Sequence, residues 1–104
     1  MVDLNPFQFK NYGEYLKAAK IKLYHGTQEP FSKRARKVHP MPSDGLVGGY
    51  EKGWKVAHAT TDIEEAKLYG THIYEVEPDE HTQEGYGDTA MFSEKGFKII
   101  RKVQ

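Results

Sequence analysis

The sequence predicts a small α+β domain, and three observations carry that expectation. Short apolar runs bounded by glycine, proline or polar turns read as strands over 21–25, 55–60, 71–77, 90–93 and 97–103. Two stretches, 12–20 and 63–69, space their apolar residues at helical intervals instead. Between the first two strands lie Pro30, Pro40, Pro42, Gly45, Gly48, Gly49 and Gly53, so 28–55 reads as a glycine-rich loop. A chain of 104 residues holds one domain with one modest core. There is no internal repeat and no linker, so 1–104 reads as a single domain with an N-terminal helical segment over 1–20.

Each element has its own local signal. Tyr12, Tyr15, Leu16 and Ala19 predict a helix from about Tyr12 to Lys20, with Asn11 as its cap. Ile21–His25 predicts a strand with Ile21, Leu23 and His25 on one face. Lys55–Thr60 is the next strand. Thr61-Asp62-Ile63-Glu64 fits a capping box, and Ile63, Ala66, Lys67 and Tyr69 continue a short helix closed by Gly70. Thr71–Glu77 alternates, Ile73 and Glu75 against Tyr74 and Val76, and Pro78 ends it. A polar loop follows over 79–88. Ala90–Ser93 and Phe97–Val103, joined by Glu94-Lys95-Gly96, predict a hairpin.

Composition excludes several classes of function. Fifteen basic residues balance fifteen acidic ones, which argues against broad electrostatic binding to nucleic acid and leaves room for a local patch. The candidate patch is Lys33-Arg34-Ala35-Arg36-Lys37, readable as a solvated loop or as a site for pyrophosphate or another anion. With no cysteine there is no disulfide, no thiolate nucleophile and no thiolate metal site. The histidines His25, His39, His58, His72 and His81 lack the spacing of a zinc site, so no metal is expected. No apolar run approaches the ~20 residues of a membrane span. The first residues, Met1 to Pro6, are acidic and proline-broken, unlike a secretory signal. The expectation is a cytoplasmic protein without a membrane partner.

The most informative stretch is Tyr24-His25-Gly26-Thr27. A histidine beside a glycine at a strand end offers a ring nitrogen and a main chain without a Cβ to one ligand. The plainer reading of His25 is a strand-end ring satisfied by a carbonyl. A second segment strengthens the first: Val56-Ala57-His58-Ala59-Thr60, then Asp62 to Gly70, then Ile73-Tyr74-Glu75-Val76-Glu77-Pro78. Read alone, His58 is a half-buried strand residue, Glu84 is a solvated loop acid, and Tyr69 and Tyr74 are core.

Laid end to end, these pieces resemble the ADP-ribosyltransferases, and within them the small rifamycin ADP-ribosyltransferases. The resemblance covers roughly Ile21 to Val103. It implies a small split β-sheet that clamps NAD as cosubstrate, without a metal. The implied reaction releases nicotinamide and passes ADP-ribose to an acceptor, whether small molecule, protein or nucleic acid. Carried over residue by residue, it implies His25, His58 and Glu84 as catalytic. It implies Tyr24, His25, Gly26, Thr27, His58, Thr60 and Tyr69 as contacts to the nucleotide. In that chemistry positive charge grows on a ribose, and an acid beneath the sugar stabilises the charge only as it develops. An aromatic ring and backbone groups hold the departing nicotinamide in place. The acid is sought among Asp79, Glu80, Glu84 and Asp88, with spacing favouring Glu84.

His58 stands where the family usually carries tyrosine. In the form His-Ala-Thr it is similar to the tRNA 2′-phosphotransferases, a related branch that relies on arginines; this chain has Arg34, Arg36 and Arg101. The alternative to turnover is a non-catalytic domain of the same kind that binds or inhibits a target.

Overall fold

A computed structural model describes residues 10–42, 53–85 and 89–104. The first helix, α1 (Tyr12–Ala18), begins where Asn11 Oδ1 accepts the Glu14 N–H at 2.9 Å. It ends sooner than its apolar spacing predicts, because Lys20 takes a left-handed φ of 58° and turns the chain into the first strand. Leu16, completely buried, is its anchor in the core.

Among the described residues eight strands follow: β1 (Leu23–Thr27), β2 (Lys37–Val38), β3 (Met41–Pro42), β4 (Lys55–Thr60), β5 (His72–Glu77), β6 (Gln83–Glu84), β7 (Ala90–Ser93) and β8 (Phe97–Lys102). They form one antiparallel sheet in the order β2-β8-β5-β1-β4-β7-β6, with β3 paired to β4 off that path. The second helix, α2 (Ile63–Ala66), runs into a 3₁₀ turn over Lys67–Tyr69. Its cap is Asp62, which accepts the Glu64 N–H at 2.9 Å, one residue later than the expected capping box starts.

The sheet is nearly divided at its middle. β1 pairs with β5 along its whole length, Leu23↔Val76 through Thr27↔His72. It pairs with β4 at one position alone, Tyr24↔Thr60. Beyond that rung the two strands diverge. Along β4 the ladder resumes on β3 at Val56 and Lys55, so His58 lies between the two pairings.

Three expectations are corrected. The segment 28–55, expected as loop, contributes β2 and β3, each too short to carry a periodic pattern; 43–52, which holds Gly45, Gly48 and Gly49, lies outside the described residues. The 79–88 loop likewise contributes β6. The hairpin of β7 and β8 does not form: β7 pairs with β4 and β6, while β8 pairs with β5 and β2. Gly96, at φ 93°, sits so close beneath β2 that a Cβ would stand 2.4 Å from the Val38 carbonyl oxygen. The turn therefore packs against β2 and sends Phe97 onto Val38.

Leu16, Leu23, Val38, Ala57, Ala59, Tyr74, Val76, Met91 and Phe97 form the core between α1 and one face of the sheet. Completely burying a side chain such as Phe97 or Leu23 contributes about 1.5–3 kcal/mol. On the other face, Val56 and Phe92 pack with Trp54, whose ring meets Phe92 edge-on.

Candidate functional site

The candidate site forms where β1 and β4 part. Side chains alternate along a strand, so His25 shares a face with Leu23 and Tyr74, and His58 shares the opposite face with Val56 and Phe92. The gap lets the two rings meet. Their centroids lie 5.5 Å apart, inclined by 46°. His25 Nδ1 lies 2.7 Å from the His58 main-chain oxygen. A carbonyl only accepts, so Nδ1 carries the proton, and Nε2 of the neutral ring keeps its lone pair. Burial pushes the His25 pKa below its ordinary value, and the bond to His58 opposes that shift in part.

A file of rings extends from this pair. Tyr69 packs on His58 at 4.9 Å. Phe31 stacks on His25 at 5.8 Å with 15° between the planes, and Tyr74 meets Phe31 at 4.8 Å. The Phe31 N–H donates to the Tyr74 hydroxyl at 2.9 Å, which ties the segment after Pro30 down onto β5.

Both imidazoles line two cavities. The smaller, about 30 Å³, is bounded chiefly by Tyr24, Gly26, Thr60, Glu65 and Tyr69 with the two histidines. That volume matches roughly one water, whose share of the liquid is about 30 Å³. The larger, about 420 Å³, brings Phe31, Arg36, Lys37 and His39 to the histidines. It falls in the range of roughly 300–1,000 Å³ of small-molecule sites.

Tyr24, His25, Gly26, His58, Thr60 and Tyr69 are thus brought together, and Thr27 joins His25 and His58 at the larger cavity. Gly26 is explained by packing: a Cβ there would stand 1.9 Å from the Ala66 carbonyl oxygen. Its bare side faces the end of α2 and not open space. Tyr69, expected among both core residues and nucleotide contacts, is half-buried against His58.

Glu84 is not brought to the pair. It sits on β6, opposite Met91, which in turn is opposite Ala59, so it lies on the α1 face of the sheet. There it accepts a hydrogen bond from Tyr12, whose phenol is raised in pKa by burial first and by the Glu84 charge second. Asp88 lies outside the described residues. The acid that lines a cavity with both histidines is Glu65 of α2, and the Thr89 hydroxyl donates to its Oε2. Its sequence signal was slight: it immediately precedes Ala66, the buried residue of a helix that starts just after the His58 strand. Phe31, Arg36 and Lys37 come from the segment expected as loop, and of the basic run Ala35, Arg36 and Lys37 border the larger cavity.

No protein-family model, curated protein or solved structure matches the chain. Among the described residues no three or more histidines and carboxylates gather as a metal site, and no helix is long and apolar enough to cross a membrane.

Proposed function

We propose that this chain is an NAD-dependent ADP-ribosyltransferase with a split-sheet, ADP-ribosyltransferase-like fold. One observation carries the reading: His25 and His58, from strands that pair at a single rung, meet 5.5 Å apart on a cavity that Arg36 and Lys37 also line. The cations suit a pyrophosphate, since an arginine fork matches phosphate oxygens. The ring file of Tyr69, His58, His25 and Phe31 suits stacking on a planar base or nicotinamide. His25 Nε2, held as an acceptor by the bond at Nδ1, suits a ribose hydroxyl as donor.

In this reading Glu65 supplies the carboxylate that stabilises positive charge on the ribose as nicotinamide leaves. The bond from ribose C1′ to the nicotinamide nitrogen breaks, its electron pair leaves with nicotinamide, an acceptor lone pair forms the new bond at C1′, and the acceptor's proton passes to solvent. The test is release of nicotinamide from NAD, with His25→Ala and Glu65→Gln as variants. Neither binding nor consumption of NAD at millimolar concentration would reject the reading.

A second reading is a domain of this kind that binds without turnover. The engagement of Glu84 with Tyr12, on the sheet face opposite His58, favours it. NAD binding by calorimetry with no nicotinamide released, in the wild type and Glu65→Gln alike, would select it.

A further inference from the structure

The segment 30–36 is a partition. On one side lies the histidine cavity. On the other lies a groove of about 510 Å³ lined by Lys33, Arg36, Arg101 and Lys102 over a floor of Phe31, Tyr74, Ile99 and Ile100. Phe31, Ser32, Ala35 and Arg36 line both spaces. The partition is anchored at each end, by Phe31 N–H to the Tyr74 hydroxyl and by Ile99 N–H to the Arg36 carbonyl at 2.9 Å.

The charge of this groove departs from that of the chain. Acidic and basic residues balance overall, yet four basic residues line this groove. Among the described residues Glu75 pairs with Arg101 alone, at 3.0 Å and on the sheet face opposite Tyr74, which leaves Lys33, Arg36 and Lys102 as the cations of the wall. Lys102 leans over the Tyr74 ring, with Nζ 5.9 Å from the centroid and 3.1 Å from His72 Nδ1. Ile100 remains 50% exposed, and Phe31 is half-buried. A cationic wall beside apolar and aromatic floor is the pairing that single-stranded nucleic acid uses, phosphates on the wall and bases on the floor. An acidic peptide would use the cations and leave the floor unoccupied.

We infer that this groove binds single-stranded nucleic acid, and that the strand passes along the 30–36 partition beside the histidine cavity. As a binding site the groove stands on its own residues. Its further role, presenting that strand as the acceptor of ADP-ribose, rests on the reading above.

The test is fluorescence anisotropy with a labelled oligonucleotide of about 10 nucleotides, without NAD, across a salt series. The wild type binds, and log K falls with log salt at a slope of about −2 to −3, as three or four neutralised phosphates predict at ~0.7 per phosphate. Lys33→Glu with Lys102→Glu, both at exposed positions, weakens binding at least tenfold and flattens the slope by about 1 to 1.5. Lys33→Gln with Lys102→Gln gives a smaller loss in the same direction and guards against misfolding by reversed charges. Ile100→Ser weakens binding while keeping the slope. Three results would each overturn the inference: no binding by the wild type, binding unchanged in the double reversal, or a polyglutamate peptide held as tightly as the oligonucleotide. Nicotinamide release assayed in parallel keeps the two readings apart, because loss of NAD turnover leaves oligonucleotide binding intact, and the converse holds.

Discussion

His25 Nδ1 donates a hydrogen bond to the main-chain oxygen of His58 at 2.7 Å, and so a side chain bridges β1 and β4 just where their ladder stops. One contact orients the imidazole and satisfies a carbonyl that lies between two pairings. Stability and any chemistry at His25 are therefore coupled.

Replacing His25 tests both roles. His25→Ala removes this part-buried hydrogen bond, a loss of about 0.5–1.5 kcal/mol. The thermal midpoint should fall by roughly 4–8 °C for each kcal/mol lost in a domain of this size. NAD binding, if present in the wild type, should be lost together with nicotinamide release.

Acid should weaken the fold through the same ring. Burial holds the folded-state pKa of His25 below that of the unfolded chain. Above the unfolded value of about 6.5 the ring is neutral in both states and its contribution is complete. As pH falls below that value the unfolded chain takes up the proton first. The contribution then declines until pH has passed the folded value. Urea midpoints measured from about pH 7 down to 5 should drop, and His25→Ala should remove part of that slope.

Gly26→Ala should destabilise the domain without changing a polar contact. The new Cβ would meet the Ala66 carbonyl oxygen at 1.9 Å, so α2 must move or the strand must bend. Overpacking of this kind costs about 1–3 kcal/mol. Gly53→Ala is the comparison: no atom of the described residues stands within 4 Å of a Cβ there, and its φ of 87° leaves backbone strain as the cost, about 1–2 kcal/mol. Chemical denaturation of the two variants separates steric from conformational loss: Gly26→Ala alone should also perturb His58 ring resonances in NMR, because α2 carries Tyr69 toward that ring.

The two acids make opposite predictions. Glu65→Gln should lower nicotinamide release on the order of 10²–10³-fold, the scale of losing one group that stabilises charge in the transition state. Glu84→Gln should leave release unchanged. It should instead bring the Tyr12 phenol down toward its ordinary value, though burial keeps it raised; an ultraviolet titration of the tyrosines reads this directly.

What was legible in the sequence was local. Asn11 and Gly70 mark helix ends by their own chemistry, and the alternation in β5 gives its faces without reference to any partner, whereas the cap of α2 falls on Asp62, one residue past the expected Thr61. What was illegible was pairing. Glu94-Lys95-Gly96 bends the chain sharply, and a bend does not state which strand comes next to which; the packing of Gly96 under Val38 decides that. The same limit hid the acid. Counting residues past Pro78 leads to Glu84, but β6 docks on β7 in a register that turns Glu84 toward Tyr12. Glu65 shares the smaller cavity with the histidines because α2 folds back over Gly26, a contact between residues far apart in the chain.

The solitary rung between Tyr24 and Thr60 looks like a boundary along which the molecule would come apart, yet the chain is laced across it. It passes from one wing to the other between β2 and β3, β4 and β5, β5 and β6, and β7 and β8. Neither wing can be cut out as a contiguous fragment. The narrowest line in the sheet is thus a fissure without being a frontier, flanked by two cavities while threading holds its banks together.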